Sequence, residues 1–163
     1  MTQKVRQMVR AAVIGALYVV LTHLQNLIFP NSASMAIQFR ASEALCVLAF
    51  FTPAAIPGLT AGCLLFNLTF IGSLPLDFLV GTLATLGATA SMRLLRRIPF
   101  LGLLMPALWN AFLVGWELSV YIGGGFWLNA LYVAIGEAAV LLTLGTALYY
   151  ALKTRNLHTR LFS

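Results

Sequence analysis

Charged residues are scarce in this chain of 163 residues: they make up 9% of it, whereas 61% of it is hydrophobic. Soluble domains carry about 25% charged residues, and a domain of this size has too little polar surface to cover so much apolar area in water. The scarcity of charge argues against a water-soluble enzyme, and the abundance of apolar residues excludes a disordered chain. We expect an integral membrane protein.

Cysteine is also scarce, and catalytic motifs are missing. The two cysteines, Cys46 and Cys63, lie in apolar runs without paired or metal-binding spacing, which is typical of small buried packing residues. The sequence contains no P-loop lysine motif, no His-Glu-x-x-His pair and no Ser/His/Asp set. We therefore expect no metal, no cofactor and no catalytic machinery in this chain.

Apolar stretches fill nearly the whole chain. A membrane-crossing helix needs about 20 residues at about 1.5 Å per residue, and breaks such as Pro30, Pro75 and the triple glycine at 123–125 separate the stretches. The start is basic and then apolar like a signal peptide, but its apolar run is long and no small-residue cleavage site follows, so we predict a retained span. The second stretch is short, and an interfacial or half-crossing helix is its alternative. The sequence predicts one all-α membrane domain over residues 1–163, with six transmembrane helices at about 9–29, 41–52, 54–71, 76–95, 100–122 and 127–152.

The basic residues predict the orientation of these spans. Nine of the ten Lys and Arg residues lie at or before the start of span 1, around the junction of spans 4 and 5, or after the end of span 6. With six spans, all three groups fall on one side, which the positive-inside rule makes the cytoplasm, so both termini are predicted to be cytoplasmic. Arg40 is the exception on the outer side. We interpret the net charge of +6 as an orientation signal and expect no nucleic-acid partner.

The four acidic residues all fall outside the predicted cytoplasmic loops. Glu43, Asp77 and Glu117 map near the outer ends of their spans, and Glu137 lies about 15 Å down span 6 from Trp127. An ionisable group inside a span costs at least ~2.5 kcal/mol, so each one needs a partner or a wet cavity. The pattern predicts a polar, aromatic-rimmed pocket that opens to the outside. Neutral polar residues map to the same layer: His23, Gln25, Asn26, Gln38, Asn67, Asn110, Asn129 and Tyr132.

Some candidate residues also have a simpler interpretation. Trp127 is more typical of the interfacial aromatic belt than of a ligand contact. Arg40 and Glu43, three residues apart, suit a local ion pair at the lipid headgroups as well as they suit a site. Asn110 and Glu117 share a helical face and favour a function, because a structural helix gains little from a carboxylate near its end. The candidate substrate-binding residues are Arg40, Glu43, Asn67, Asp77, Asn110, Glu117, Trp127, Asn129, Tyr132 and Glu137.

Small residues recur at helical spacing. Ala12 and Ala16 form an Ala-x-x-x-Ala pair at the start of span 1, and Gly58 and Gly62 form a G-x-x-x-G pair in span 3. Such rows let two helices approach closely, and by themselves they indicate only helix packing.

Several short motifs together resemble one known family. Those motifs are QFR at 38–40, SEAL at 42–45, AFF at 49–51, Asp77 with GTLAT at 81–85, Asn110 with VG at 114–115 and EL at 117–118, FWLN at 126–129 and YVAIGE at 132–137. Over about residues 10–152 the sequence resembles the QueT family of queuosine-precursor transporters, which are substrate-binding S components of energy-coupling factor (ECF) transporters.

The resemblance implies partners, a location and a cargo. It implies a six-helix S component in the bacterial plasma membrane, whose Ala12 and Ala16 dock on a coupling membrane subunit. Two separate ATPase subunits then supply the energy, and the S component topples to release its cargo inward. The implied cargo is a 7-deazaguanine: queuine, or a precursor such as the aminomethyl or cyano base.

The chemistry of such a cargo suits the polar residues. A guanine-like edge offers two adjacent N–H donors that one carboxylate accepts together, and a carbonyl that Asn, Gln or Arg can satisfy. A cationic aminomethyl arm needs a second carboxylate. We expect Glu117 or Glu137 to accept the guanine edge, with Asn110 and Asn129 orienting it. The alternatives are an S component for another vitamin such as thiamin or riboflavin, a membrane enzyme that uses Glu137 and His23, and a packing scaffold that leaves the buried acids unexplained.

Overall fold

The computed structural model describes residues 2–30 and 39–156, and these residues form helices and connecting turns without a β-strand. The expected all-α class is confirmed for this part of the chain. The helices are α1 (Gln3–Ile28), a 3₁₀ helix (Ala41–Phe50), α2 (Ala55–Thr69), α3 (Asp77–Leu94), α4 (Pro99–Tyr121), α5 (Phe126–Val140) and α6 (Thr146–Thr154), with a π turn (Leu141–Gly145) that joins α5 to α6.

Within the described residues, three helices are long and apolar enough to cross a membrane. They are α1, α4 and the continuous helix Phe126–Thr154. Two shorter helices are also apolar, the 3₁₀ helix and α2. The chain is therefore a membrane protein, while the six crossings and the cytoplasmic position of both termini stay predictions.

Consecutive helices pack against one another, and α1 and α2 approach each other closely through small residues. A Cβ atom added to Gly58 would lie 2.5 Å from the carbonyl oxygen of Ala11, and one added to Gly62 would lie 2.8 Å from that of Gly15. The predicted packing role of the G-x-x-x-G pair is thus confirmed. Its partner face on α1 is Ala11 and Gly15, one residue before each of Ala12 and Ala16.

The 3₁₀ helix lies at the centre of the bundle. Eight of its ten residues are buried, and it contacts all six α-helices. A 3₁₀ helix rises about 2.0 Å per residue, so ten residues cover about 20 Å, compared with about 15 Å in an α-helix. Arg93 of α3 donates to the carbonyl oxygens of Ala49 and Phe50 at 3.4 and 3.0 Å, and so satisfies two acceptors at the end of this helix. This segment is therefore a core element of the bundle, while its depth in the membrane stays a prediction.

Candidate functional site

The four acidic residues and Arg40 are all buried. The exposed fraction is 1% for Glu43, 3% for Asp77, 0% for Glu117, 1% for Glu137 and 4% for Arg40. The four acids come from four elements, the 3₁₀ helix, α3, α4 and α5, and Arg40 directly precedes the 3₁₀ helix, so the fold gathers them from across the sequence. Their burial excludes the interpretation of Arg40 and Glu43 as an ion pair exposed at the headgroups.

These five residues interact electrostatically as one group, which we call the charged layer. The Arg40 guanidinium interacts with Glu43 and Asp77. Glu117 interacts with Asp77 and Arg40, and Glu137 interacts with Glu43 and Arg40. Glu117 thus has Asp77 as a neighbouring carboxylate and Glu137 has Glu43, and both Glu117 and Glu137 also interact with the Arg40 guanidinium.

Two of the carboxylates are held by donors from the protein itself. The Oε1 atom of Glu43 accepts a hydrogen bond from the Tyr18 hydroxyl at 2.6 Å, and its Oε2 atom accepts one from the Cys46 thiol at 3.2 Å. The Oδ2 atom of Asp77 accepts the backbone N–H of Leu74 at 2.7 Å, in the turn that begins α3. Glu43 and Asp77 thus both stabilise the fold through these hydrogen bonds.

The other two carboxylates, Glu117 and Glu137, have open oxygens, by which we mean oxygens that accept no hydrogen bond from the described residues. Among the residues that the structure describes, no donor reaches either oxygen of Glu117 or the Oε2 atom of Glu137. The amide nitrogen of Asn110 and the amide oxygen of Asn67 are likewise buried and unpaired within this part of the chain. A buried polar group without a partner costs about 1–3 kcal/mol, so native structures keep few of them. Glu117 and Glu137 belong to the charged layer, Asn67 hydrogen-bonds to Asp77 of that layer, and Asn110 lies two turns before Glu117 on α4, so these groups are candidates for ligand contacts.

The asparagines differ in what they already bind. Asn67 donates to the backbone carbonyl of Asp77 at 2.9 Å and keeps its amide oxygen open. Asn129 donates to the carbonyl of Gly123 at 2.7 Å. That bond holds the triple-glycine turn at 123–125, where φ is +87°, +83° and +82° and a side chain is strongly disfavoured. Asn129 therefore has a structural partner, and Asn110 is the asparagine with a free donor within the described chain.

The aromatic candidates Trp127 and Tyr132 are more exposed than the residues of the charged layer. Trp127 is 77% exposed, so it belongs to the surface of the bundle and not to the charged layer. Tyr132 is half-buried. The Nε2 atom of His23 lies 3.1 Å from the Thr69 hydroxyl oxygen, in keeping with a packing histidine rather than a catalytic partner of Glu137. Gln38 and the loop around it lie outside the described residues.

Sequence reasoning missed several polar residues behind the charged layer. Tyr18 is fully buried, and Thr22 one turn later lies with its hydroxyl oxygen 2.7 Å from that of Ser42. Cys46 is buried and unpaired as predicted, but its thiol also donates to Glu43. The available signal was the row Tyr18, Thr22, Asn26, whose four-residue spacing places polar groups on one face of α1.

The face of α1 beside α2 carries a separate feature. A groove of about 740 Å³ runs between the first halves of these helices, and its lining includes the exposed Ala12 and Ala16. Pro53, Pro57 and Leu65 line its other wall. The small side chains keep the groove open, because Ala11 and Gly15 turn toward α2 and leave the adjacent alanines at the surface.

Comparison with known proteins gives one positive result. A protein-family model described as "QueT transporter" matches residues 8–154 of the chain. The searches of curated proteins and of solved structures give no significant match. The matched range includes the charged layer and the groove beside Ala12 and Ala16.

Proposed function

The chain belongs to the QueT transporter family, and from that membership we propose that it is the substrate-binding S component of an ECF-type importer in a bacterial plasma membrane. Its cargo is a 7-deazaguanine, such as queuine or one of its precursors, captured from outside. The chain is a transporter subunit and not an enzyme, and two separate ATPase subunits supply the energy.

The observation that carries this proposal is the pair of open oxygens on Glu117. A carboxylate with both oxygens free accepts two parallel N–H donors, and the guanine edge presents two such donors next to each other. Asn110 lies two turns earlier on the same face of α4 and offers a donor to a ligand acceptor. Complete burial strengthens such hydrogen bonds, because water does not compete for them.

The groove on α1 supports the assignment of a partner. The coupling membrane subunit docks where Ala12 and Ala16 leave a small-lined, apolar surface, since small residues let a partner helix approach closely. On α1, Ala12 and Ala16 line the groove, whereas Tyr18 contacts Glu43 of the charged layer, so we expect mutations to separate docking from capture.

A thermal-shift panel on the purified protein tests the proposed cargo. The panel contains queuine, the aminomethyl and cyano 7-deazaguanines, guanine, thiamin and riboflavin. A ligand at 100 times its dissociation constant should stabilise the protein by about 2.7 kcal/mol. We expect a shift with deazaguanines. The absence of any deazaguanine shift, together with a clear shift with thiamin or riboflavin, would contradict the proposal in favour of another vitamin.

A further inference from the structure

Three arginines lie within five residues where α3 ends and the chain turns into α4. Arg93 is half-buried, and Arg96 and Arg97 are exposed. We call these three residues the arginine turn. The candidate span α4 begins directly after it, at Pro99, so we expect the turn to lie at a membrane surface whichever way the chain is oriented.

The chain has no acidic side chain near the arginine turn. All four of its acidic residues are buried in the charged layer. Asp77 begins α3, and Arg93 follows it by about 24 Å along the helix axis. Glu43 lies about 14 Å along the 3₁₀ helix from Phe50, whose carbonyl oxygen Arg93 binds. The charges of Arg93 and Arg96 also repel each other, so an anion from outside the chain would stabilise the turn.

The core fixes the position of Arg93. One of its guanidinium nitrogens donates to the carbonyl oxygens of Ala49 and Phe50 at 3.4 and 3.0 Å. A side chain that the fold already holds loses less conformational entropy when it binds a ligand. Guanidinium groups also match the geometry of phosphate oxygens, so the turn is suited to a phosphate group.

Exposed apolar side chains lie beside these cations in the sequence. Leu94, Ile98 and Phe100 are each more than half exposed, and they alternate with Arg96 and Arg97 along the turn. A free phosphate ion gains nothing from apolar neighbours. A phospholipid gains from both, because its headgroup meets the cations while its acyl chains pack on the apolar residues.

We propose that the arginine turn binds the headgroup phosphate of an anionic phospholipid, whose acyl chains pack on Leu94, Ile98 and Phe100. This site lies at the opposite end of α3 from Asp77 and is independent of the proposed cargo. The positive-inside rule explains why cations accumulate on one side during insertion. It predicts no preference of the folded protein for one headgroup, whereas a lipid site does.

The test measures lipid preference by quenching of tryptophan fluorescence. The full-length protein is reconstituted in phosphatidylcholine bilayers that contain brominated phosphatidylglycerol or brominated phosphatidylcholine with the same acyl chains. Trp109 reports on this end of the bundle, because its indole N–H donates to the Ser91 hydroxyl at 3.1 Å, two residues before Arg93. Trp116→Phe and Trp127→Phe remove the other two tryptophans. We expect phosphatidylglycerol to bind at least roughly fivefold more tightly, which corresponds to one interfacial cation.

Two double variants with equal net charge locate the site. Arg96→Gln/Arg97→Gln removes two cations of the turn and should reduce the preference to less than about twofold. Lys4→Gln/Arg155→Gln removes two exposed cations from other helices and should keep the wild-type preference. An equal loss in both double variants would mean a diffuse surface charge and would overturn the proposal.

Further arms separate the sources of the phosphate. Glycerol phosphate at 10 mM should leave the preference unchanged; if it removes the preference, the turn is a site for free phosphate and not for lipid. Equal affinity for the two lipids in the wild-type protein would also overturn the proposal, and if the arginine variant nevertheless lost uptake, the turn would contact an acidic partner instead. Should that variant not fold, the wild-type preference must shrink between 0.05 and 0.5 M NaCl, because salt screens exposed charges; a preference that salt does not change would contradict the headgroup charge as its cause.

Discussion

The hydroxyl of Tyr18 donates to Glu43 at 2.6 Å, which joins α1 to the central 3₁₀ helix across 25 residues of sequence. Tyr18 is fully buried and lies two residues after the exposed Ala16. A single helix therefore carries the proposed docking face on one side and a direct contact with the charged layer on the other. The Tyr18–Glu43 bond thus links α1 directly to an acid of that layer.

Removing this hydroxyl should destabilise the protein. Tyr18→Phe takes one donor from a buried carboxylate oxygen, and a buried group that loses its partner costs about 1–3 kcal/mol. We expect the free energy of unfolding in detergent to fall by that amount, measured by denaturant or thermal unfolding. Tyr150→Phe is the control, because Tyr150 is 58% exposed, and it should change stability by less than about 0.5 kcal/mol. Equal stability of Tyr18→Phe and the wild type would show that the bond contributes nothing.

Replacing the Glu117 carboxylate should leave the folded protein intact and weaken ligand binding. Glu117→Gln removes a charge but no hydrogen bond within the described chain, so the folded protein should be retained. Ligand affinity should fall roughly 10- to 100-fold, since each hydrogen bond to a charged group contributes about 1.5–3 kcal/mol. Size-exclusion chromatography checks the fold and calorimetry measures the affinity. Trp116→Phe, next to it but half exposed, is the control; an unchanged affinity of Glu117→Gln would make Glu117 a structural residue.

The contrast between Glu117 and Tyr18 shows what the sequence reveals of the site. An acid in an apolar span is conspicuous, so the sequence predicted a partner or a polar pocket for each acid, and the structure shows that all four are buried. Tyr18 is inconspicuous, because a tyrosine in an apolar helix suits a lipid interface or a core equally well. Its role depends on which residue of the 3₁₀ helix lies opposite, and that is a tertiary relationship.

The central helix shows a similar limit for the fold. The apolar run 41–50 is too short for its periodicity to separate α from 3₁₀ geometry, so the sequence predicted only a short helix. Its 3₁₀ form brings Glu43 and Cys46 onto one face, at i and i+3, where both side chains meet at one carboxylate. The depth of a residue in a span does not by itself identify a ligand contact. Asn129 hydrogen-bonds to the triple-glycine turn, and Trp127 lies on the surface of the bundle.

A bulky residue in the groove should separate binding from transport. Ala16→Trp fills the proposed docking surface without touching the charged layer, so ligand affinity should stay unchanged while uptake is lost. Uptake is measured in cells or proteoliposomes that contain the coupling subunit and both ATPases. Leu17→Trp, at an exposed position of α1 outside the groove, is the control and should transport normally. Retained uptake by Ala16→Trp would refute the docking role.

The close crossing of α1 and α2 should not tolerate one added methyl group. In Gly58→Ala the new Cβ would lie 2.5 Å from the carbonyl oxygen of Ala11, and this backbone atom can move only with its helix. We expect a loss of about 1–3 kcal/mol of stability from overpacking, measured by thermal unfolding. Ala61→Val on the exposed side of α2 adds more volume and should be close to neutral. An unchanged melting temperature of Gly58→Ala would mean that the helices separate at little cost.

The most direct measurement of the central claim is the affinity of the purified protein for 7-aminomethyl-7-deazaguanine and for the corresponding 7-aminomethyl-7-deazaadenine. Both carry the same cationic arm, but only the guanine base presents two adjacent N–H donors to Glu117. We expect the guanine base to bind roughly 100-fold or more tightly, because a site built to hydrogen-bond a group rejects an analogue that lacks it, and we expect Glu117→Gln to abolish this preference. Equal affinity for the two bases in the wild-type protein would contradict the assignment of the buried layer as a deazaguanine site.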